Sequence, residues 1–141
     1  PLQASGTRTS RALPYELHTS ARCAAAGTVE LVFANTGTQG AVFHVYDRYH
    51  LDRLPRRYAV EAGKTLSDTW NALQDNLGMY DLWVLGPNGY HRHFKGDTNR
   101  IADSGALPEI RVCYDIANGE VYAELLNTGA KSCTFTVAPQ A

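Results

Sequence analysis

His91 and His93 form a His-x-His pair inside the run Tyr90-His91-Arg92-His93-Phe94. On a strand, residues two apart share a face, so these imidazoles could serve as two ligands of one metal ion. No third ligand stands at a metal-site spacing. The plainer reading is a solvated strand face, with Tyr90, Arg92 and Phe94 on the other side. His18, His44 and His50 are isolated and read as structural or exposed. Asp68, Asp75, Asp81 and Asp97 could supply an acid–base pair. None sits in a motif, and such residues at strand ends and turns are usually solvated. No Gly-x-Ser-x-Gly nucleophile elbow occurs. The glycine-rich run Gly86-Pro87-Asn88-Gly89 joins two strands instead of opening a helix, so it lacks the dipole of a phosphate loop. The expectation is a chain with no catalytic residue, no metal and no cofactor of its own.

A second candidate is the run 47–57, Asp-Arg-Tyr-His-Leu-Asp-Arg-Leu-Pro-Arg-Arg. It holds four arginines against two aspartates. With Tyr46, Tyr49 and Leu51 close by, it could touch anionic headgroups or phosphate. Arg48, Tyr49, Arg53, Arg56 and Arg57 are therefore the candidate membrane or partner contacts. The bland alternative is an exposed loop with local ion pairs. Trp70 and Trp83 could stack on a sugar, but a tryptophan in an apolar strand is expected to pack in a core.

The elements that must position these groups announce themselves by repetition. Residues 27–46 and 119–138 align without gaps. Gly27 falls on Gly119, Val29 on Val121, Asn35-Thr36-Gly37 on Asn127-Thr128-Gly129, Phe43 on Phe135 and Val45 on Val137. Each copy reads as two alternating apolar runs joined by a turn, which marks a repeated β unit. Asn and Gly suit such a turn because both tolerate positive φ. Strands are expected at about Leu13–Arg22, then with Val29, Leu31 and Phe33 inward, then with Ala41, Phe43 and Val45 inward. Others follow around Tyr58–Val60, Thr65–Trp70, Met79–Leu85 and Tyr90–Phe94, with three more between Glu109 and Ala138. Residues 71–77 could form one helical turn. Short strands every 8–12 residues with Gly, Pro and Asn between them indicate an all-β fold. The expected form is an antiparallel, immunoglobulin-like β-sandwich, with a β-barrel as the alternative.

This pattern divides the chain into a linker at 1–12, a first β-sandwich unit at 13–96, a second linker at 97–106, and the opening of a truncated second unit at 107–141. At 141 residues and 44% hydrophobic, the chain can bury a core. Its net charge of −1 gives no global field toward nucleic acid. No apolar run approaches the roughly 18–20 residues of a membrane-spanning helix. The polar start Pro-Leu-Gln-Ala-Ser lacks the apolar region of a signal peptide. Cys23, Cys113 and Cys133 are odd in number and show no Cys-x-x-Cys spacing, which argues against structural zinc. One disulfide would fit an exported protein. Three strands of a second unit would carry one uncovered apolar face, so they are expected to dock on the first unit or to form a homodimer with another copy.

Leu13-Pro14-Tyr15-Glu16-Leu17, the Asn-Thr-Gly turn, Tyr58-Ala59-Val60-Glu61-Ala62-Gly63, Tyr80-Asp81-Leu82 and Gly86-Pro87-Asn88-Gly89-Tyr90-His91-Arg92 occur in that order. Together they resemble the C-terminal domain of bacterial phosphocholine-type phospholipases C, over residues 11–138. In that family the domain stands twice in tandem behind a large catalytic domain. The resemblance implies a secreted or periplasmic bacterial parent. That parent would hydrolyse phosphatidylcholine or sphingomyelin to phosphocholine and diglyceride or ceramide. It also implies that nucleophile and metal ligands lie upstream, so this chain is an accessory domain. Its implied partners are that catalytic domain and a phospholipid surface. An independent cell-surface adhesion or carbohydrate-binding sandwich is the competing expectation.

Overall fold

The computed structural model describes residues 6, 12–24, 26–100, 105–115 and 117–138. The 1–12 linker therefore lies, apart from Gly6 and Ala12, outside the described residues. The same holds for 101–104 of the second linker. Two facing antiparallel sheets make up the first unit. One has the order β1-β2-β5, from β1 (Leu17–Ala24), β2 (Thr28–Asn35) and β5 (Lys64–Trp70). The other has the order β4-β3-β6-β7, from β4 (Arg56–Val60), β3 (Ala41–Asp47), β6 (Met79–Leu85) and β7 (His91–Asp97). The chain crosses between sheets after β2, β4 and β5. This is the immunoglobulin-like sandwich; the sheets do not close into a barrel.

Alternation fixes which faces meet. Val29, Leu31 and Phe33 of β2 and Phe43 and Val45 of β3 are fully buried. Each such side chain contributes about 1.5–3 kcal/mol by leaving water, and a one-residue slip would turn all of them outward. Phe33 stacks on Tyr58 at 4.4 Å and meets Phe43 at 5.1 Å. The first strand starts at Leu17, later than the alternation suggests. Residues 12–16 instead run past the Asn-Thr-Gly turn, with Thr36 and Thr38 donating to the carbonyls of Glu16 and Pro14. Residues 71–77 do contain a helical turn, α1 (Ala72–Asn76), capped by the Asn71 side chain, which accepts from the Gln74 amide at 3.2 Å.

The remaining strands are β8 (Pro108–Asp115) and β9 (Glu120–Asn127), an antiparallel hairpin lying beside β1. The third strand expected near 133–137 is absent: residues 132–138 carry no regular structure and no ladder partners. The reason is physical. In the first unit the matching strand β3 is held by β4 and β6, and no strand among the described residues pairs with 133–137. Within 97–106, Asp97 ends β7, and buried Thr98 donates to the Gly78 carbonyl at 2.9 Å through its hydroxyl.

The two Asn-Thr-Gly turns make the same bonds. Asn35 Oδ1 accepts from the Gly37 amide at 3.0 Å, and its amide donates to the Gln39 carbonyl at 2.7 Å. Asn127 Oδ1 accepts from the Gly129 amide at 3.0 Å, and its amide donates to the Lys131 carbonyl at 2.8 Å. Thr36 and Thr128 donate to the carboxylates of Glu16 and Glu109 at 2.8 and 2.9 Å. The glycines are needed for closeness, not for positive φ as the sequence suggests. A Cβ on Gly37 would collide with the Pro14 carbonyl, and one on Gly129 with that of Gly105.

Candidate functional site

The outer face of the four-stranded sheet gathers several of the residues singled out in the sequence, among them Asp81, Trp83, His91 and His93. Outward positions alternate along each strand, and register places Tyr46, Trp83 and His93 in one row across β3, β6 and β7. Trp83 is half-exposed on this face, not in the core. The guanidinium of Arg48 lies 4.4 Å from its ring centroid, and His91 and His93 meet it edge-on. The run Leu82-Trp83-Val84-Leu85 is apolar throughout, so period alone could not assign its faces. Trp70 does enter the core, under the Arg56 guanidinium at 3.9 Å.

Asp81 is the other departure from expectation. It is only 4% exposed, although a solvated aspartate was expected there. His93 Nε2 donates to its Oδ1 at 2.7 Å, while Arg48 and Lys95 approach Oδ2 at 3.3 and 3.6 Å. Burial alone pushes its carboxyl up. The His93 hydrogen bond and then the charges of Arg48, His93 and Lys95 outweigh that and hold it below the ordinary carboxylate value. Its partners come from residues 48, 93 and 95, a combination that spacing along the chain does not reveal. His91 and His93 thus share a face as expected, but His93 is committed to Asp81. Among the described residues, no group of three or more His, Cys, Asp or Glu side chains is arranged to hold a metal ion.

The other aspartates do not meet one another. Asp68 accepts from Tyr58 and from Arg56 Nη1, the latter at 2.9 Å. Burial raises its carboxyl, and these two bonds more than reverse that. Asp75 pairs with Arg53 at 3.7 Å, and Asp97 bonds Asn99. His50 bonds Asn76 at 2.7 Å and His18 bonds Thr36 at 3.1 Å. An acid–base dyad poised for catalysis is thus not formed by these groups.

The arginine loop spans 48–55 between β3 and β4. Arg48, Arg53 and Arg56 each pair with a carboxylate, of Asp81, Asp75 and Asp68. Arg57 is exposed and has no carboxylate partner among the described residues. Tyr49 is 43% exposed, Leu51 62% and Leu54 92%. The sequence reading singled out the arginines and Tyr49, with Leu51 close by. The structure adds Leu54, the barest apolar side chain of the loop. The cysteines are free, and Cys23 donates to the Tyr80 hydroxyl at 3.2 Å.

A family model described as the C-terminal domain of bacterial phospholipase C matches residues 9–97. The chain is 44% identical over 138 residues to a non-hemolytic phospholipase C of Burkholderia pseudomallei, covering 97% of this chain and 19% of the relative. It is 43% identical over 140 residues to the non-hemolytic phospholipase C of Pseudomonas aeruginosa, covering 97% of this chain and 20% of that protein. The hemolytic phospholipase C of the same organism is 37% identical over 160 residues, across 99% of the chain and 21% of the relative. The chain thus spans about a fifth of the length of these relatives. A match that takes in the whole first unit and more than half of the chain places it in the family of bacterial phospholipase C C-terminal domains.

Proposed function

We propose that the chain is a noncatalytic accessory domain of a bacterial phospholipase C exported to the periplasm or beyond the cell. The parent hydrolyses phosphatidylcholine or sphingomyelin to phosphocholine and diglyceride or ceramide, and the chemistry belongs to a catalytic domain upstream. The domain holds that catalytic domain against a phospholipid surface. The observation that carries this reading is the near-complete match of the chain to about a fifth of each relative. The geometry adds support. Leu51 and Leu54 stand bare at a loop tip beside Arg53 and Arg57, an apolar and basic combination suited to the headgroup region.

The test compares the parent enzyme with and without this domain. The isolated chain should turn over neither phosphatidylcholine nor a chromogenic phosphocholine ester. The shortened parent should keep its rate on the soluble ester and lose several-fold on phosphatidylcholine vesicles containing anionic lipid. Leu54→Asp with Arg57→Gln in the full parent should reproduce part of that loss. Equal losses on soluble and vesicle substrates, or turnover by the isolated chain, would overturn the reading.

A further inference from the structure

Among the described arginines, Arg92 has an unusual setting. Arg22, Arg48, Arg53, Arg56 and Arg111 each pair with a carboxylate. Arg57 and Arg100 pair with none among the described residues but are exposed, so water solvates them. Arg92 is half-buried and also lacks a carboxylate partner among the described residues. Its guanidinium carbon lies 4.7 Å from the Tyr90 ring centroid and 5.6 Å from that of Tyr114. Among the described residues its hydrogen bond runs from Nη1 to the neighbouring His91 carbonyl at 2.9 Å. Aromatic contacts cover a guanidinium's faces and leave its N–H edge free, and that edge matches the oxygens of an anion.

That edge belongs to a cleft of about 440 Å³ whose walls include Tyr15, Glu16, His18, Tyr90, Arg92 and Tyr114. Tyr90 spends its hydroxyl proton on Thr19. Glu16 is engaged by Thr36. Tyr15, Tyr114 and Asn88 also line the cleft, and their side chains carry hydroxyl and amide donors. A carboxylate presents its two oxygens in one plane, so it meets donors from a narrow range of directions. A phosphate spreads its oxygens over a tetrahedron and meets donors from several walls. Glu16 in the same wall disfavours a highly charged anion, and Leu13, Leu17 and Pro87 give an organic group apolar surface. We propose that this cleft binds a phosphate ester, with Arg92 gripping the phosphate between Tyr90 and Tyr114. The ester is either a small free metabolite or a lipid headgroup. The site requires nothing of the parent's lipid chemistry, so it can fail or stand independently of the accessory role.

The test is NMR titration of the whole chain with inorganic phosphate, glycerol 3-phosphate and glycerophosphocholine, following the Arg92 side-chain N–H and the Tyr90 and Tyr114 rings. At least one ester should give saturable shifts at these groups and bind more tightly than inorganic phosphate. Preference for glycerol 3-phosphate would identify a free monoester, and preference for glycerophosphocholine a headgroup. Arg92→Gln should weaken binding at least tenfold, Arg92→Lys less, and Lys64→Gln not at all. Should Arg92→Gln disturb the fold, Tyr114→Leu provides a second test, because Tyr114 lies on β8 outside the first unit; it should weaken binding several-fold. The absence of saturable shifts with every probe overturns the proposal. So does full-strength binding by either folded variant, or equal weakening by Lys64→Gln.

Discussion

The first two strands and the last two are built to one local plan and meet different fates. β1–β2 and β8–β9 are antiparallel hairpins that end in Asn-Thr-Gly turns with matching bonds. In β2, Val29, Leu31 and Phe33 are fully buried beneath the second sheet. In β9, Val121 is 66% exposed and Leu125 38%. On β8, Ile110 is 54% exposed. The hairpin keeps its place through one edge. Arg22 pairs with Glu109 at 3.2 Å, and His18 meets Tyr114 at 5.6 Å between ring centres. The turn is a local structure that its own residues determine. Burial is not local, because it needs a second layer to receive the apolar face.

The largest expected contrast is in core truncation. Phe33→Ala should cost about 3–5 kcal/mol, because it leaves a cavity between Tyr58 and Phe43. Leu125→Ala should cost about 1 kcal/mol or less, since much of that side chain already meets water. Urea unfolding followed by tryptophan fluorescence measures the first, as Trp70 and Trp83 both lie in the first unit, and amide exchange in β9 measures the second. A cost above that for Leu125 would mean that the second hairpin is covered after all.

The next contrast sets the two turn asparagines against each other. Asn35 is fully buried and also donates to the Val60 carbonyl at 3.3 Å. Asn35→Ala strands buried polar groups, at about 1–3 kcal/mol. Asn127 is exposed, so water replaces its bonds, and Asn127→Ala should cost about 0.5–1 kcal/mol. Equal costs would show that the turn acts alone, without help from burial.

The smallest contrast is in acid. Asp81 in the first unit and Asp115 in the hairpin are both held below the ordinary carboxylate value. In Asp81 burial is overcome by His93, Arg48 and Lys95; in Asp115 the bonds from Asn118 do it. A carboxylate whose folded pKa is depressed adds stability above its unfolded value of about 3.9, and loses it as pH falls through the folded value. Asp81 should therefore make unfolding easier as pH falls below about 4. Asp81→Asn should flatten that dependence, while Asp115→Asn, at a solvated position, should leave it nearly unchanged. Matching slopes for Asp81→Asn and the parent chain would remove Asp81 from the account.

Much of this was legible in the chain. The alternation of β2 and β3, the shared turns and the helical turn at 72–76 follow from residue type and near neighbours. Trp83, Asp81 and Arg92 were not legible in this way. Trp83 sits in an unbroken apolar run, so nothing in its period assigns a face. Asp81 is buried by side chains 33 residues earlier and 12 and 14 residues later, and Arg92 stacks on a tyrosine from the second unit. The strand expected at 133–137 repeated a pattern that in β3 depends on neighbours from further along the chain.

Amide hydrogen exchange tests most directly whether the sandwich of β1–β7 lends its order to the β8–β9 hairpin. Amides of Val29–Phe33 should exchange only on global unfolding, and those of Val121–Leu125 should show weaker but real protection. Arg22→Ala should speed exchange in β9 and leave β2 unchanged. Protection of β9 equal to that of β2, or free exchange in β9 of the unaltered chain, would contradict this account.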